Sequence, residues 1–441
     1  MFPEMEIRQC GDMQEPMELL ELPGISLDYF LRGLAGEAYQ DNAVFQELYS
    51  WYLQSPEYRI LVKKLTEASF SERPSDKIGK TVAKILYGEI SPYSATRLER
   101  FAACAFAHFL QYGLKVTERA EYEFRAMDMG NVMHMALEKF AAEVRKEGLD
   151  WAELTEEERN RIIDSCLDQV SADYGNTILK SSARNEYMIE RTRRILRRTV
   201  WALQEQLKHG AFRPEGFEVR FQGGRIDRVD IMEEPENNRV YVKVIDYKTG
   251  NTSFDLLALY HGLQLQLMVY LDGALQVEKR KYPDREIVPA GVFYYNVKDP
   301  MIQEKIHADM ESINEQMLKK MKMNGLVQAD DNMSTKIDST MASIPVSLNR
   351  DGSFSKRSSV ASRKQFDALG AYVRRKICDI RESILDGNAA VEPYELGKKN
   401  ACTYCPYLTV CGFDRKIPGY EFHRLSSIEE DALWKKIMKG E

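Results

Sequence analysis

Between Phe217 and Val297 the residue pattern switches from helical to extended, and this switch restricts the fold more than any other feature of the chain. Phe217 to Phe221, Gly224 to Ile231 and Arg239 to Tyr247 alternate or are rich in β-branched residues, with Pro235-Glu236-Asn237-Asn238 as the turn between the last two. Asp255 to Leu275 then reads as a helix, and Val288 to Val297 as an apolar strand. A β-meander feeding a helix requires strands and helices to share one unit.

Helical patterns surround this block. Leu27 to Phe70 is rich in Leu, Tyr and Phe until Ser71 to Lys77, with Pro74, breaks it, and we place a boundary near Ser91. Ser94 or Thr96 suits the cap of the next helix, with Glu99 closing a capping box on Thr96. Leu98, Phe101, Phe106 and Phe109 give that helix a packed face, and Gly113 ends it. Met129 to Glu147 and Arg184 to Leu207 are further helices, Asp330 to Ser359 is expected to be a loop or insertion, and Ser362 with Gln365 starts the last long helix. At 441 residues the chain has length for two or three structural units. No apolar run approaches the roughly 20 residues of a membrane span, and Met1 to Gly11 lacks the pattern of a secretory signal, so a cytoplasmic protein with no membrane association is expected. A net charge of −7 gives no whole-chain attraction to nucleic acid, although a locally basic face is compatible with it.

The first chemical constellation is Asp227 on one strand and Asp246-Tyr247-Lys248 at the end of the next. Side chains two apart on a strand share a face, so Asp246 and Lys248 point the same way, with Asp227 beside them from the neighbouring strand. Two carboxylates so placed suit a hard cation such as Mg²⁺, which polarises a phosphate and acidifies water, while a lysine offsets charge growing on phosphorus. Taken alone, an Asp-x-Lys triplet is usually a surface ion pair. His134, one helical turn after Gly130, adds an imidazole suited to metal ligation, and the missing side chain at Gly130 leaves room for a ligand's backbone. Gln266 and Tyr270 share one helical face and can contact a substrate strand, although Leu265 and Leu267 beside them also fit ordinary packing.

The second constellation is Cys402-x2-Cys405-x5-Cys411, with Cys104 far upstream as a fourth ligand. Four thiolates fit a structural zinc or an iron–sulfur cluster, and spacing does not separate the two. Cys10, Cys166 and Cys378 have no partner at metal-binding spacing and read as ordinary thiols.

Six strings occur in a recognisable order: Ser94-Ala95-Thr96-Arg97-Leu98-Glu99-Arg100-Phe101 leading to Cys104, Gly130-x3-His134, Gly224-Arg225-Ile226-Asp227-Arg228, Asp246-Tyr247-Lys248-Thr249-Gly250, Gln266-x3-Tyr270 and the three-Cys tail. From Ser91 to Asp414 the chain resembles the carboxyl-terminal nuclease region of the AddB family, the B subunits of bacterial ATP-dependent helicase/deoxyribonucleases, with a RecB-type PD-(D/E)XK nuclease. The resemblance implies an α/β, restriction-endonuclease-like core: a mixed sheet flanked by helices. It further implies an N-terminal helical remnant over 1–90, a nuclease domain over 91–414 closed by a [4Fe-4S] clasp on Cys104, Cys402, Cys405 and Cys411, and a tail over 415–441. In its site, His134, Asp227, Asp246 and Tyr247 would hold Mg²⁺, and His134, Asp227, Asp246, Lys248, Gln266 and Tyr270 would serve catalysis.

The implied activity is a Mg²⁺-dependent, 5′ to 3′ single-stranded DNA exonuclease within a complex that processes double-strand breaks for homologous recombination. The implied partners are single-stranded DNA and an AddA-like A subunit. The chain carries only some 90 residues where the family has a long helicase-like region, and Gly79-Lys80-Thr81 lacks a glycine-rich cradle, so ATP is not expected to bind this chain. Arg184, Arg191, Arg193, Arg194, Arg197 and Arg198 could meet phosphates, but interleaved Glu186 and Glu190 favour a solvated helix face. Two alternatives stand beside this reading. A stand-alone Fe–S exonuclease like those of CRISPR adaptation would be shorter and lack Met301 to Ser359, and a non-catalytic DNA-binding scaffold would be expected to have lost a ligand position, whereas here each is filled.

Overall fold

The computed structural model describes residues 23–35, 43–69, 76–88, 94–119, 126–174, 182–302, 309–330, 332–417 and 419–440. Cys10, Ser91 and most of the break at Ser71 to Lys77 lie outside these residues. The chain divides between Ser75 and Asp76 into two compact units. In the first, α1 (Pro23–Ala35), α2 (Ala43–Gln54) and α3 (Arg59–Ser69) pack around Phe30, Phe45, Tyr52 and Val62, with Phe30 and Phe45 stacked at 4.9 Å between ring centroids.

The second unit begins with α4 (Lys80–Tyr87), α5 (Ala95–Ala103), α6 (Ala105–His108), α7 (Ala126–Lys146), α8 (Glu156–Asp173) and α9 (Ala183–Lys208). Strands β1 (Arg213–Phe221), β2 (Gly224–Glu234) and β3 (Arg239–Lys248) follow, then α10 (Leu256–Tyr260), α11 (Gln266–Lys281) and β4 (Glu286–Asn296). After these come α12 (Met310–Lys320), β5 (Asn324–Gln328), α13 (Met333–Ile337), β6 (Val360–Ala361) and α14 (Arg363–Leu385). The chain finishes with β7 (Tyr394–Leu396), β8 (Lys399–Asn400), α15 (Leu408–Cys411), β9 (His423–Arg424) and α16 (Glu430–Lys439).

Strands β1 to β6 form one sheet in sequence order. The β1–β2, β2–β3 and β4–β5 pairs are antiparallel, whereas β3–β4 and β5–β6 are parallel, so the sheet is mixed. Strand β3 shows how it is covered. Tyr241, Ile245 and Tyr247 join the apolar cluster under α7, α8 and α9, while Val240, Val242 and Val244 join the one under α5, α11, α14 and α16. Alternate side chains of one strand thus fill two helical layers. Burial on both faces explains why β3 and β4 read as nearly continuous apolar runs.

Several elements depart from the sequence reading. The helix expected from Ser94 to Gly113 breaks at Cys104, whose backbone is extended (φ −167°, ψ 116°), and resumes as α6 and a π turn over Phe109–Gly113. Its cap is Ser94, which accepts from the Arg97 N–H; Glu99 does not close a box on Thr96 but reaches another helix. Asp255 to Leu275 is two helices, because Gly262 adopts φ +82° between α10 and α11. The described residues of Asp330 to Ser359 form a loop apart from α13, yet Met333, Ile337, Ile344 and Val346 bury themselves in the core. Strand β5 and helices α8 and α16 were not anticipated. Helix α8 had a local signal, since Thr155 and Glu158 close a full capping box, and α16 buries Leu433, Trp434 and Ile437 with α14. No helix among the described residues is long and apolar enough to cross a membrane.

Candidate active site

The site forms where β2 and β3 stop pairing. The last pair of their ladder is Arg228 with Ile245, and one residue beyond it Asp227 uses its side chain instead, accepting the Tyr247 main-chain N–H at 2.7 Å. Strand β3 continues along β4 as far as the Lys248–Asn296 pair, so Asp246 and Lys248 stand at an opening in the sheet while their backbone stays fixed. The Lys248 ammonium lies 2.6 Å from Asp246 Oδ2. Tyr247 has its ring buried against Tyr295 and His134.

Helix α7 contributes His134, whose Nδ1 lies 3.3 Å from Asp227 Oδ2. Gly130 does face the site, and what approaches it is Thr249: a Cβ there would meet Thr249 Oγ1 at 3.2 Å. A residue the sequence did not single out completes the group. Glu218 lies on β1 between the register pairs Phe217–Arg228 and Val219–Ile226, which sets it opposite Asp227. Donor atoms of His134, Glu218 and Asp227 all fall within 4.8 Å of one another, a possible metal site. Glu218 adopts φ +50°, a conformation costly for a residue with a Cβ and often found where a side chain must be aimed.

On the other side of Lys248, Gln266 Oε1 accepts from Nζ at 2.8 Å, and Gln266 Nε2 donates to the Tyr270 hydroxyl at 2.9 Å. The two residues read as a helical pair therefore form a relay holding the ammonium. Glu99 supports the relay from α5. Its Oε1 accepts the main-chain N–H groups of Leu265 and Gln266 at 2.7 and 2.9 Å, satisfying donors that the start of α11 would leave unpaired.

Electrostatically, carboxyls outnumber cations at the site. Burial, reinforced by the charge of Asp227, pushes the Asp246 carboxyl up to about 6. Burial likewise raises Asp227 to about 6, against the pull of the Tyr247 N–H and Lys248. Glu218 and Glu99 rise to about 7, each chiefly through burial, and burial lowers the His134 pKa. Lys248 and Arg225, which pairs with Glu218, are the cations facing four carboxyls and an imidazole, a donor set that a divalent cation would complete.

Cys104, Cys402, Cys405 and Cys411 line one small pocket with Phe106, Tyr407 and Phe413. Burial pushes the Cys402 thiol up to about 11, with Cys104, Cys405 and Cys411 adding to the rise. Cys166 is in the core and Cys378 is exposed. The α9 arginines face acids: Arg193 meets Asp164, Asp168 and Glu190, Arg197 meets Asp164, and Arg194 and Arg198 meet Asp299. Lys80 of the Gly79-Lys80-Thr81 string starts α4 and pairs with Asp386 at 3.0 Å.

Comparison with known proteins places this geometry among relatives. Residues 92–412 match the PD-(D/E)XK nuclease superfamily. A protein of Lachnoclostridium phytofermentans, named as the B subunit of an ATP-dependent helicase/deoxyribonuclease, is 38% identical over 99% of this chain and 39% of its own length. Proteins of the same name from Alkaliphilus metalliredigens and a Thermoanaerobacter species are 33% and 34% identical, over 100% and 90% of this chain and 40% and 36% of theirs. The chain thus spans about two fifths of the length of these relatives.

Proposed function

Because the chain belongs to the PD-(D/E)XK nuclease superfamily, we propose that it is the metal-dependent deoxyribonuclease module of a helicase–nuclease complex, shortening single-stranded DNA from the 5′ end during double-strand break processing. The observation that carries the proposal is the convergence of Asp227, Asp246, Glu218 and His134 on one opening beside Lys248. Polarity, preference for single strands and an AddA-like partner follow from likeness to the B subunits.

Of these residues, His134, Glu218, Asp227, Asp246 and the Tyr247 carbonyl would hold Mg²⁺, a cation that takes oxygen donors and keeps part of its water shell. When bound, the metal supplies Lewis acidity to the scissile phosphate and to water. The chain's own part is placement. Asp246 and Gln266 hold the Lys248 ammonium from two sides, at 2.6 and 2.8 Å, so that its charge faces the opening where negative charge develops on the phosphate. Tyr270 fixes the orientation of the Gln266 amide, and Glu99 fixes the helix that carries it.

The four-cysteine pocket is proposed to hold a [4Fe-4S] cluster. Its donor set suits soft metals. The choice of a cluster over a single zinc follows from the family resemblance of the cysteine motifs. Such a clasp closes a loop of about 300 residues between Cys104 and Cys402, which removes chain entropy from the unfolded state. The proposed activity is tested by degrading 5′- and 3′-labelled single strands with anaerobically purified protein and Mg²⁺. Short labelled products appearing first from the 5′ label support the reading, and a ladder from internal cuts alone would refute the exonuclease assignment.

A further inference from the structure

We propose that a basic, amide-lined groove beside the site, between the loop after β3 and the end of α12, holds the sugar–phosphate backbone of the strand being cut. The inference rests on the nuclease reading and assigns a path for its substrate. The groove starts at the catalytic strand. The Lys248 carbonyl accepts the Val297 N–H at 2.7 Å, and the loop leaving Lys248 is fastened over the end of β4 by the Asn296 side chain, which accepts from Thr252 N at 3.1 Å and donates to Thr252 O at 3.0 Å. Asn324, at the start of β5, fastens the same loop through the Phe254 N–H. One wall is therefore rigid and continuous with Lys248.

Five cations line this groove: Lys298, Lys319, Lys320, Lys322 and Arg357, and among the described residues no carboxylate lines it. Lys319 meets Glu315 at 2.7 Å. Lys298 and Arg357 have no ionic partner among the described residues, and Asp299, next in sequence to Lys298, is taken by Arg194 and Arg198. The α9 arginines make the contrast. Each of the four that pair with Asp164, Asp168, Glu190 or Asp299 has its charge met by an acid, whereas Lys298 and Arg357 leave the groove with uncompensated charge in a chain of net charge −7. Exposed Asn251 and the neighbouring Ser253 offer hydrogen bonds to phosphate oxygens. Aromatic residues are absent from the described lining, so bases have no platform to stack on. Binding there is to the backbone and indifferent to sequence.

The test is anisotropy of a labelled 20-nucleotide oligo-dT with the full chain in EDTA, across a range of KCl concentrations. Each phosphate contact on a single strand contributes about 0.7 to the slope of log affinity against log salt. A Lys298→Gln/Lys320→Gln/Arg357→Gln variant is expected to lower that slope by about 2 and to weaken binding at least about 10-fold at low salt. The matched variant Lys435→Gln/Lys436→Gln/Lys439→Gln on α16 keeps the wild-type slope. Thermal melting of all three proteins confirms that they are folded. A wild-type slope in the groove variant, an equal loss in the α16 variant, or no binding by the wild type overturns the proposal. Hydrolysis of bis(p-nitrophenyl) phosphate, too small to span the groove, separates the two readings. Wild-type protein with Mg²⁺ that leaves this diester intact contradicts the nuclease assignment, while the binding comparison still judges the groove.

Discussion

The Glu99 carboxylate accepts the Gln266 main-chain N–H at 2.9 Å, tying the helix that leads to Cys104 to the helix that orients Lys248. Removing it strands two donors at the start of α11 and loosens the relay. Glu99→Ala is expected to cost about 2 kcal/mol of stability and to slow cleavage about 10-fold. Glu99→Gln keeps an acceptor and is expected to stay within about 1 kcal/mol of wild type. Urea melts and cleavage rates of both variants check this, and equal effects from the two would contradict a hydrogen-bonding role.

The raised carboxyl pKa values set a pH dependence. A folded-state pKa of about 6 for Asp227 and Asp246 lies above the unfolded value, so the stability these groups contribute is full below about 4 and is lost as pH rises through about 6. Mg²⁺ held at the proposed site would bind the ionised forms and reverse that loss. Melting in EDTA is therefore expected to show wild type gaining on Asp246→Asn as pH falls from 7.5 to 5, with Mg²⁺ raising the wild-type Tm at pH 7.5 and barely at pH 5.

A separate ionic group lies in the core. Asp230 meets Arg228 at 2.6 Å and Lys243 at 2.9 Å, all three being almost fully buried. Asp230→Ala leaves two buried cations without a counter-charge and is expected to destabilise the second unit by about 3–5 kcal/mol. A loss under about 1 kcal/mol in chemical denaturation would show that water reaches these cations.

For the cysteine pocket, Cys405→Ser is expected to lower iron per chain to background and to reduce the Tm, because a ligand of the proposed loop-closing cluster is lost. Iron quantification and absorbance near 400 nm on anaerobic protein read the outcome. Unchanged iron with unchanged melting would remove this residue from the ligand set.

What the sequence revealed was what neighbouring residues determine. Asp227, Asp246 and Lys248 were legible because one turn joins their strands, and Gln266 with Tyr270 because four residues make one helical turn. Glu218 was hidden because its place depends on the register of β1 and on a positive φ, neither of which marks the sequence locally. Glu99 was misread for a related reason: a Glu three residues after Thr96 fits a capping box, and only the tertiary fold brings its actual partners, 166 and 167 residues away, into reach. Strand β5 is short, and two of its residues are Gly325 and Gln328, so its apolar signal is too brief to separate from the loop that follows.

The most direct measurement compares wild type and Asp246→Ala in Mg²⁺-dependent cleavage of end-labelled single-stranded DNA, with iron content and melting measured on the same preparations. The variant is expected to stay folded and keep its iron while its cleavage rate falls by at least about 1000-fold. A folded variant that cleaves as fast as wild type would rule out Asp246 as part of a metal-dependent active site.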